Sequence, residues 1–202
     1  MLIIENTCRN PADNLTLEKN LCSLGCEIFM IWQNASSVIA GKFTDIESNV
    51  NLEYAHANNI PVVRRHSGGG AVYHDLGNIN YTFIMKDNKR LTLEYFSRII
   101  INILNDIGIN AALEFTRNDI KADGRKISGS AQYHHDGMIL HHGTLLFDSD
   151  LSIIPKVLKH SGEVANIKPL LKYDMTIQEF MQTLRRRIHD SFQGRCIIHK
   201  FK

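Results

Sequence analysis

The segment that most restricts the fold is Val62-Val63-Arg64-Arg65-His66-Ser67-Gly68-Gly69-Gly70-Ala71-Val72-Tyr73-His74. Val62-Val63 begins a strand, and a second β-forming run follows the glycines. Three successive glycines strip the turn of side chains, so a ligand can approach the backbone and several N–H groups can point at one anion. Arg64 and Arg65 add guanidinium forks suited to phosphate or carboxylate. Adjacent strand residues point to opposite faces, so one of the two arginines is expected at the site. No Gly-Lys-Ser/Thr follows, so the turn is not a P-loop. A strand rather than a helix follows, which excludes a dinucleotide fingerprint. By itself a turn of three glycines would favour a plain hairpin with solvated arginines. His74, directly after it, is positioned to donate a hydrogen bond to a bound carboxylate or phosphate.

The rest of the chain supplies runs of strands and a few helices. Met1 to Asn6 reads as a strand, and Pro11 and Asp13-Asn14 precede a helical pattern through Leu15, Leu17, Leu21 and Leu24. Glu27 to Trp32 and Ser37 to Gly41 read as strands joined by a polar turn at Gln33-Asn34. Asn49 to Asn59 reads as one helix ending before Pro61. Asn80 to Met85 is a strand. Leu91 to Ile107 is the clearest helix, with Phe96, Ile99, Ile100, Ile103, Leu104 and Ile107 at helical spacing and Gly108 to close it. Strands follow at Ala111–Thr116, Lys126–Gln132 and Met138–Phe147, and Thr176 with Glu179 forms a capping box opening a last helix to about Phe192. The pattern predicts one α+β domain over residues 1–202, a mixed, largely antiparallel sheet flanked by helices.

A second informative stretch is Asn118-Asp119-Ile120, followed by Asp123-Gly124-Arg125-Lys126-Ile127-Ser128-Gly129-Ser130-Ala131. Asp123-Gly124 makes a tight turn. A strand through Lys126 would put Ser128 and Ser130 on the lysine's face and leave room for a ligand beside the ammonium. Lys126 could then hold a carboxylate and an α-phosphate together. Asp119 could bind a magnesium ion that escorts a triphosphate. In His141-His142-Gly143-Thr144 the histidines alternate across a strand, so one should face the core or the site. Neither this pair nor His134-His135 can point two rings at one ion from a flat strand, so no metal is expected there.

A formal net charge of +2 is too mild to indicate nucleic acid. No secretion signal and no membrane-length apolar run is visible, and a cytoplasmic, monomeric protein is expected. Cys22 and Cys26 have no second pair at zinc-ligand spacing, and neither they nor Cys8 or Cys196 fall in these motifs.

Together the stretches resemble the lipoate–protein ligase A family of the biotin/lipoate ligase superfamily. The matching strings are Arg64 to Asn78, Asn118-Asp119, Arg125 to Ala131 and His142 to Leu146, with Asn14 to Glu18 and Ile31 to Asn34 resembling the family's first helix and second strand. The resemblance implies the catalytic-domain fold of that superfamily and a two-step reaction. ATP and lipoate give lipoyl-AMP and pyrophosphate, and a lysine of a lipoyl domain or glycine-cleavage H-type protein then attacks the mixed anhydride. It implies Lys126 as the catalytic residue. It assigns ATP and lipoyl-AMP binding to Arg65, Gly70, Ala71, Val72, Tyr73, Asn78, Asn118 and Asp119 as well as Lys126, with Mg2+ at Asp119. It assigns lipoate to Glu18, Trp32, Arg65, Ser67, Gly69, Gly70, His74, Lys126, Ser130, His142 and Gly143.

The sequence departs from the family in three places. Gly41 to Asn49 replaces a Gly-Arg-x-Gln-Asn-like segment, and Lys159 to Ile167 replaces a Lys-Ser-x-x-Ser-x-Arg-like loop without its arginines. The chain ends at Lys202, where full-length ligases of the family carry a C-terminal accessory domain; some relatives supply it as a separate protein and some work without it, and both routes stay open. Two other readings are an amidotransferase that moves lipoyl or octanoyl groups between carriers, and a non-catalytic carrier-binding subunit. The lack of a cysteine in the motifs argues against an acyl-cysteine route.

Overall fold

The computed structural model describes residues 1–192 and 197–201; Cys196 lies outside the described residues. The strands are β1 (Leu2–Asn6), β2 (Ile28–Trp32), β3 (Ser37–Ala40), β4 (Val62–Arg64), β5 (Ala71–His74), β6 (Asn78–Lys86), β7 (Ala111–Glu114), β8 (Asp119–Ala122), β9 (Arg125–Ser128), β10 (Ser130–His135), β11 (Met138–Leu146) and β12 (Ile197–Phe201). The helices are α1 (Pro11–Cys22), α2 (Ile46–Asn49), α3 (Leu52–Ala57), α4 (Leu93–Asp106), α5 (Ile154–Val157) and α6 (Ile177–Ser191). A six-stranded sheet runs β10-β11-β6-β2-β1-β12, and two three-stranded sheets run β4-β3-β5 and β7-β8-β9. The large sheet is antiparallel from β10 to β2 and parallel from β2 to β12, so the expected mixed, largely antiparallel α+β architecture holds.

Helices cover both faces of the large sheet, which explains why β2 is apolar at every position. Phe29 and Ile31 join Phe96, Ile100 and Leu104 of α4 and Phe180, Leu184 and Ile188 of α6 in one core. Ile28, Met30 and Trp32 point the other way, to Leu15 and Leu21 of α1. The helix starts are locally encoded. Asn10 accepts from the backbone N–H of Ala12 before Pro11, Thr92 accepts from Tyr95, and Thr176 and Glu179 form the expected capping box.

Two expectations are corrected. Asn49 to Asn59 is not one helix but α2 and α3, because Val50 is drawn into a bridge with Leu158 and buried, and Asn51 caps a new start. Lys126 to Gln132 is not one strand. It breaks at Gly129, with β9 in a small sheet and β10 at the edge of the large one. The strands on either side of Gln33-Asn34 likewise part into different sheets. Among the described residues no helix is long and apolar enough to cross a membrane.

Candidate functional site

A cavity of about 850 Å³ opens where the three sheets meet. The glycine turn contributes Gly69, Gly70, Ala71 and Val72, and β4 and β5 deliver Arg65 and His74 beside it. Leu15 of α1, Trp32 of β2 and Ile39 of β3 give an apolar wall. The small sheet brings Asp119, Lys121 and Lys126, and the large sheet brings Ser130, His142 and Gly143.

The two arginines separate as strand alternation requires. Arg64 turns outward, donating from Nη1 to the carbonyls of Gly41, Lys42 and Thr44 at 2.7, 3.1 and 2.9 Å. Arg65 turns inward and is 8% exposed. It donates to Ser67 Oγ at 3.0 Å and to the carbonyls of Gly68 and Ile39. Burial lowers its pKa to about 10, so it stays charged at neutral pH. This guanidinium braces the turn from behind. Gly69 has a φ of +90°, and a Cβ there would come within 2.9 Å of Arg65 Nη2, so the position favours glycine on both counts.

Behind the part of the cavity lined by Trp32 and His142 runs a buried polar chain. Ser67 Oγ accepts from Arg65, so its own proton points to His142 Nε2, 2.6 Å away. That leaves His142 Nδ1–H to donate to the Glu18 carboxylate, at 3.2 and 3.1 Å from its two oxygens. Thr82 also donates to Glu18 and receives the Trp32 indole N–H at 3.0 Å. Two donor branches, Arg65–Ser67–His142 and Trp32–Thr82, therefore converge on one carboxylate, fixing the His142 ring and the Trp32 plane that face the cavity. A second chain sets His74. Asn14 Nδ2 donates to Asn34 Oδ1 at 2.8 Å, which turns the Asn34 amide N–H toward His74 Nδ1 at 3.1 Å. The proton of neutral His74 therefore sits on Nε2, which has no partner among the described residues. Burial, aided by Arg65 and His142, lowers the His74 pKa to about 3, so it is a neutral donor.

At the other wall Lys126 Nζ lies 2.8 Å from Asp119 Oδ1. Gly129 makes room for it, since a Cβ there would meet Lys126 Nζ at 2.9 Å. The segment His160 to Glu163 reaches the same cavity, with the Lys126 N–H donating to the Glu163 carbonyl at 3.1 Å.

Of the residues expected at the site, Trp32, Arg65, Gly69, Gly70, Ala71, Val72, His74, Asp119, Lys126, Ser130, His142 and Gly143 line the cavity. Five do not. Glu18 and Ser67 lie behind His142 and hold it. Tyr73 points to the opposite face of β5, where its hydroxyl is 3.0 Å from Ser36 Oγ. Asn78 is fully buried and donates to Asn80, and Asn118 occupies the turn before β8 with a φ of +53°. Ser128 also does not line the cavity: a register shift in β9, which pairs Lys126 with Lys121 but Ser128 with Ile120, interrupts the alternation, and Ser128 is buried. His141 is the core histidine of its pair, stacked on Phe96 with ring centroids 4.6 Å apart. Sequence reasoning missed Leu15, Ile39, Glu114, Lys121, His160 and Glu163, which only the tertiary arrangement brings to the wall.

Among the described residues no group of three His, Cys, Asp or Glu could hold a metal ion. A magnesium escorting a triphosphate needs only one or two protein carboxylates, and Asp119 meets that requirement.

Residues 10–189 match the family described as the lipoyl protein ligase A/B catalytic domain. The chain is 39% identical to the lipoate-protein ligase LplJ of Bacillus subtilis, over 95% of this chain and 63% of that protein. It therefore spans less than two thirds of that relative's length. The structure of P. falciparum LipL1 in complex with lipoate superposes with a TM-score of 0.88 at 26% identity, covering 98% of this chain and 65% of that chain. A structure of lipoate-protein ligase A bound with ATP gives a TM-score of 0.85 at 26% identity, covering 100% of this chain and 90% of that one.

Proposed function

Because the chain belongs to the lipoyl protein ligase A/B catalytic-domain family, we propose that it joins lipoate to a carrier-protein lysine in an ATP-dependent, two-step reaction. The observation that carries this reading is the shared cavity. Lys126, the bare glycine backbone and the apolar wall of Leu15, Trp32 and Ile39 open into one space.

In this reading the aliphatic chain of lipoate lies against Leu15, Trp32 and Ile39, removing apolar surface from water. Lys126 holds its carboxylate, and His74 Nε2–H supplies a neutral donor to an adjacent anionic oxygen. ATP lays its phosphates along the backbone of Gly70, Ala71 and Val72, and Asp119 would hold the Mg2+ that neutralises part of the triphosphate charge. A lipoate carboxylate oxygen attacks the α-phosphorus and the bond to pyrophosphate breaks, giving lipoyl-AMP. The protein's contribution is positioning and charge neutralisation by Lys126. The deprotonated acceptor lysine then attacks the acyl carbon, the C–O bond breaks, and AMP leaves with the electron pair. The acceptor is a lipoyl domain or a glycine-cleavage H-type protein, and the ligase works as a monomer.

Of the described cysteines, Cys8, Cys22 and Cys26 are free and none lines the cavity, which favours direct transfer over an acyl-cysteine route. Mass spectrometry of a lipoyl domain incubated with the protein, lipoate, ATP and magnesium tests the reading. The expected outcome is a lipoyl mass gain that requires ATP. No gain even from synthetic lipoyl-AMP would overturn it.

A further inference from the structure

The face that β7, β8 and β9 turn to the cavity carries like charges side by side. Glu114 lies directly opposite Asp119 on the ladder of β7 and β8, and Lys121 lies directly opposite Lys126 on the ladder of β8 and β9. All four line the cavity, so their side chains share one face. Opposed side chains in such a ladder have Cβ atoms about 5 Å apart, and like charges so placed destabilise the pairing. Asp119 and Lys121 are two residues apart on β8, so the acidic pair and the basic pair form consecutive rows.

The charges at this end of the cavity balance in number, with Arg117, Lys121 and Lys126 against Glu114, Asp119 and Glu163. Pairing, rather than net charge, therefore marks the place of an anion. Lys126 Nζ is taken up by Asp119 Oδ1 at 2.8 Å. Glu114 Oε1 accepts from the Thr116 N–H at 3.0 Å. Its carboxyl is held below its ordinary pKa first by the hydrogen bonds from Thr116 and less by the charge of Lys121, so it stays ionised. Lys121 is partly buried, and its ammonium has neither a hydrogen bond nor an ion pair among the described residues. Of the two opposed lysines, it is the one left to an occupant of the cavity.

We propose that Lys121 binds the β- and γ-phosphates that leave as pyrophosphate, while Lys126 holds the lipoate carboxylate and the α-phosphate. The assignment rests on the ligase reading above. Breaking the bond between the α-phosphorus and the bridging oxygen sends the electron pair onto pyrophosphate. An ammonium one ladder step from Lys126 neutralises the charge that develops there. Lipoate itself does not occupy Lys121. Its chain needs the wall of Leu15, Trp32 and Ile39, which comes from α1, β2 and β3 rather than from the small sheet, and its single carboxylate is met by Lys126.

Calorimetry with the magnesium complex of α,β-methylene ATP, whose α–β bridge is not cleaved, tests it on wild type, Lys121→Met and Lys121→Arg. Methionine keeps an apolar stem and removes the charge. It should weaken binding of the analogue about tenfold, the scale of one charge-assisted hydrogen bond. AMP and lipoate, which lack the pyrophosphate, should bind the methionine variant as they bind wild type. Arginine should restore most of the lost affinity. Unchanged analogue binding by the methionine variant would overturn the assignment while leaving the ligase reading intact. An equal loss for AMP would also overturn it, by placing Lys121 at the α-phosphate or the adenosine. A loss of lipoate affinity would overturn it by placing Lys121 at the acyl group. A wild-type chain that neither binds the analogue nor lipoylates a lipoyl domain would remove the ligase reading and this assignment together.

Discussion

The Lys126 ammonium lies 2.8 Å from Asp119 Oδ1, and both side chains open into the cavity. The lysine assigned to the substrate carboxylate therefore already has a carboxylate partner. Lipoate has to compete with Asp119 for the ammonium, so Asp119→Asn should tighten lipoate binding several-fold in the absence of nucleotide, by calorimetry. The same variant should slow ATP-dependent lipoylation, because the candidate magnesium ligand is lost. Weaker lipoate binding in the asparagine variant would count against this exchange.

Lys126→Ala should reduce lipoyl transfer at least 100-fold, the scale expected when a preorganised charge at the reacting group is removed. Its far-ultraviolet circular dichroism should match wild type, since the side chain is partly exposed and serves the cavity rather than the core. Near-normal turnover in a domain-lipoylation assay would exclude Lys126 from the chemistry.

Two glycines facing the cavity should respond oppositely to alanine. At Gly129 the new Cβ meets the flexible end of Lys126, so the protein should fold with a stability loss below about 1 kcal/mol and lose activity. At Gly143 it would lie 2.3 Å from the hydroxyl of Tyr81, a ring buried in the main core that cannot swing aside. Gly143→Ala should cost about 2–3 kcal/mol in urea denaturation, within the usual range for overpacking. Equal stability of the two variants would refute the contrast.

Glu18 accepts from His142 and Thr82 while buried. Glu18→Gln replaces one acceptor oxygen with an N–H and sets it against those donors, which should cost about 1–3 kcal/mol. Lipoate affinity should fall as well, because the His142 ring is no longer fixed. Thermal melts with and without lipoate would separate the two effects.

His141 and His74 are buried and neutral, with burial pushing the pKa of His141 well below its usual value and that of His74 to about 3. Their unfolded value is near 6.5. The unfolded chain therefore binds the extra protons as pH falls below 6.5, and stability drops until the folded pKa is reached. Each histidine should lower the folding constant about tenfold per pH unit between about 5.5 and 4.5. His141→Phe keeps the stack on Phe96 and should remove one histidine's share of that slope, as read from urea midpoints across pH. An unaltered slope would mean the charge on position 141 is not what acid titrates.

Features decided by neighbours in the chain were legible in the sequence. The glycine turn and β5, the caps of α4 and α6, and the outward and inward arginines all follow from local pattern. Features decided by distant strands were not. The split of Asn49–Asn59 depends on Leu158, and the role of Glu18 depends on His142, 124 residues away. Asn14 looked like an ordinary residue of a helix start, yet through Asn34 it fixes the tautomer of His74. Glu163 is legible only as part of the loop that lacks the family's arginines, and the backbone N–H of Lys126, donated to its carbonyl, shows why it belongs to the site.

The break at Gly129 gives the cavity a mechanical property. Lys126 and Asp119 ride on the sheet of β7, β8 and β9, whereas His142 and Trp32 ride on the large sheet. The chain passes from one to the other through a single residue without a side chain, stitched to Thr144 by its N–H at 3.3 Å and its carbonyl at 3.0 Å. Ile120, Ala122 and Ile127 of the small sheet also pack into the core shared with the large one, so the gap between the ammonium and the opposite wall is held from beneath. The span of the site is thus set by the packing under its two walls, with the bare glycine as their joint.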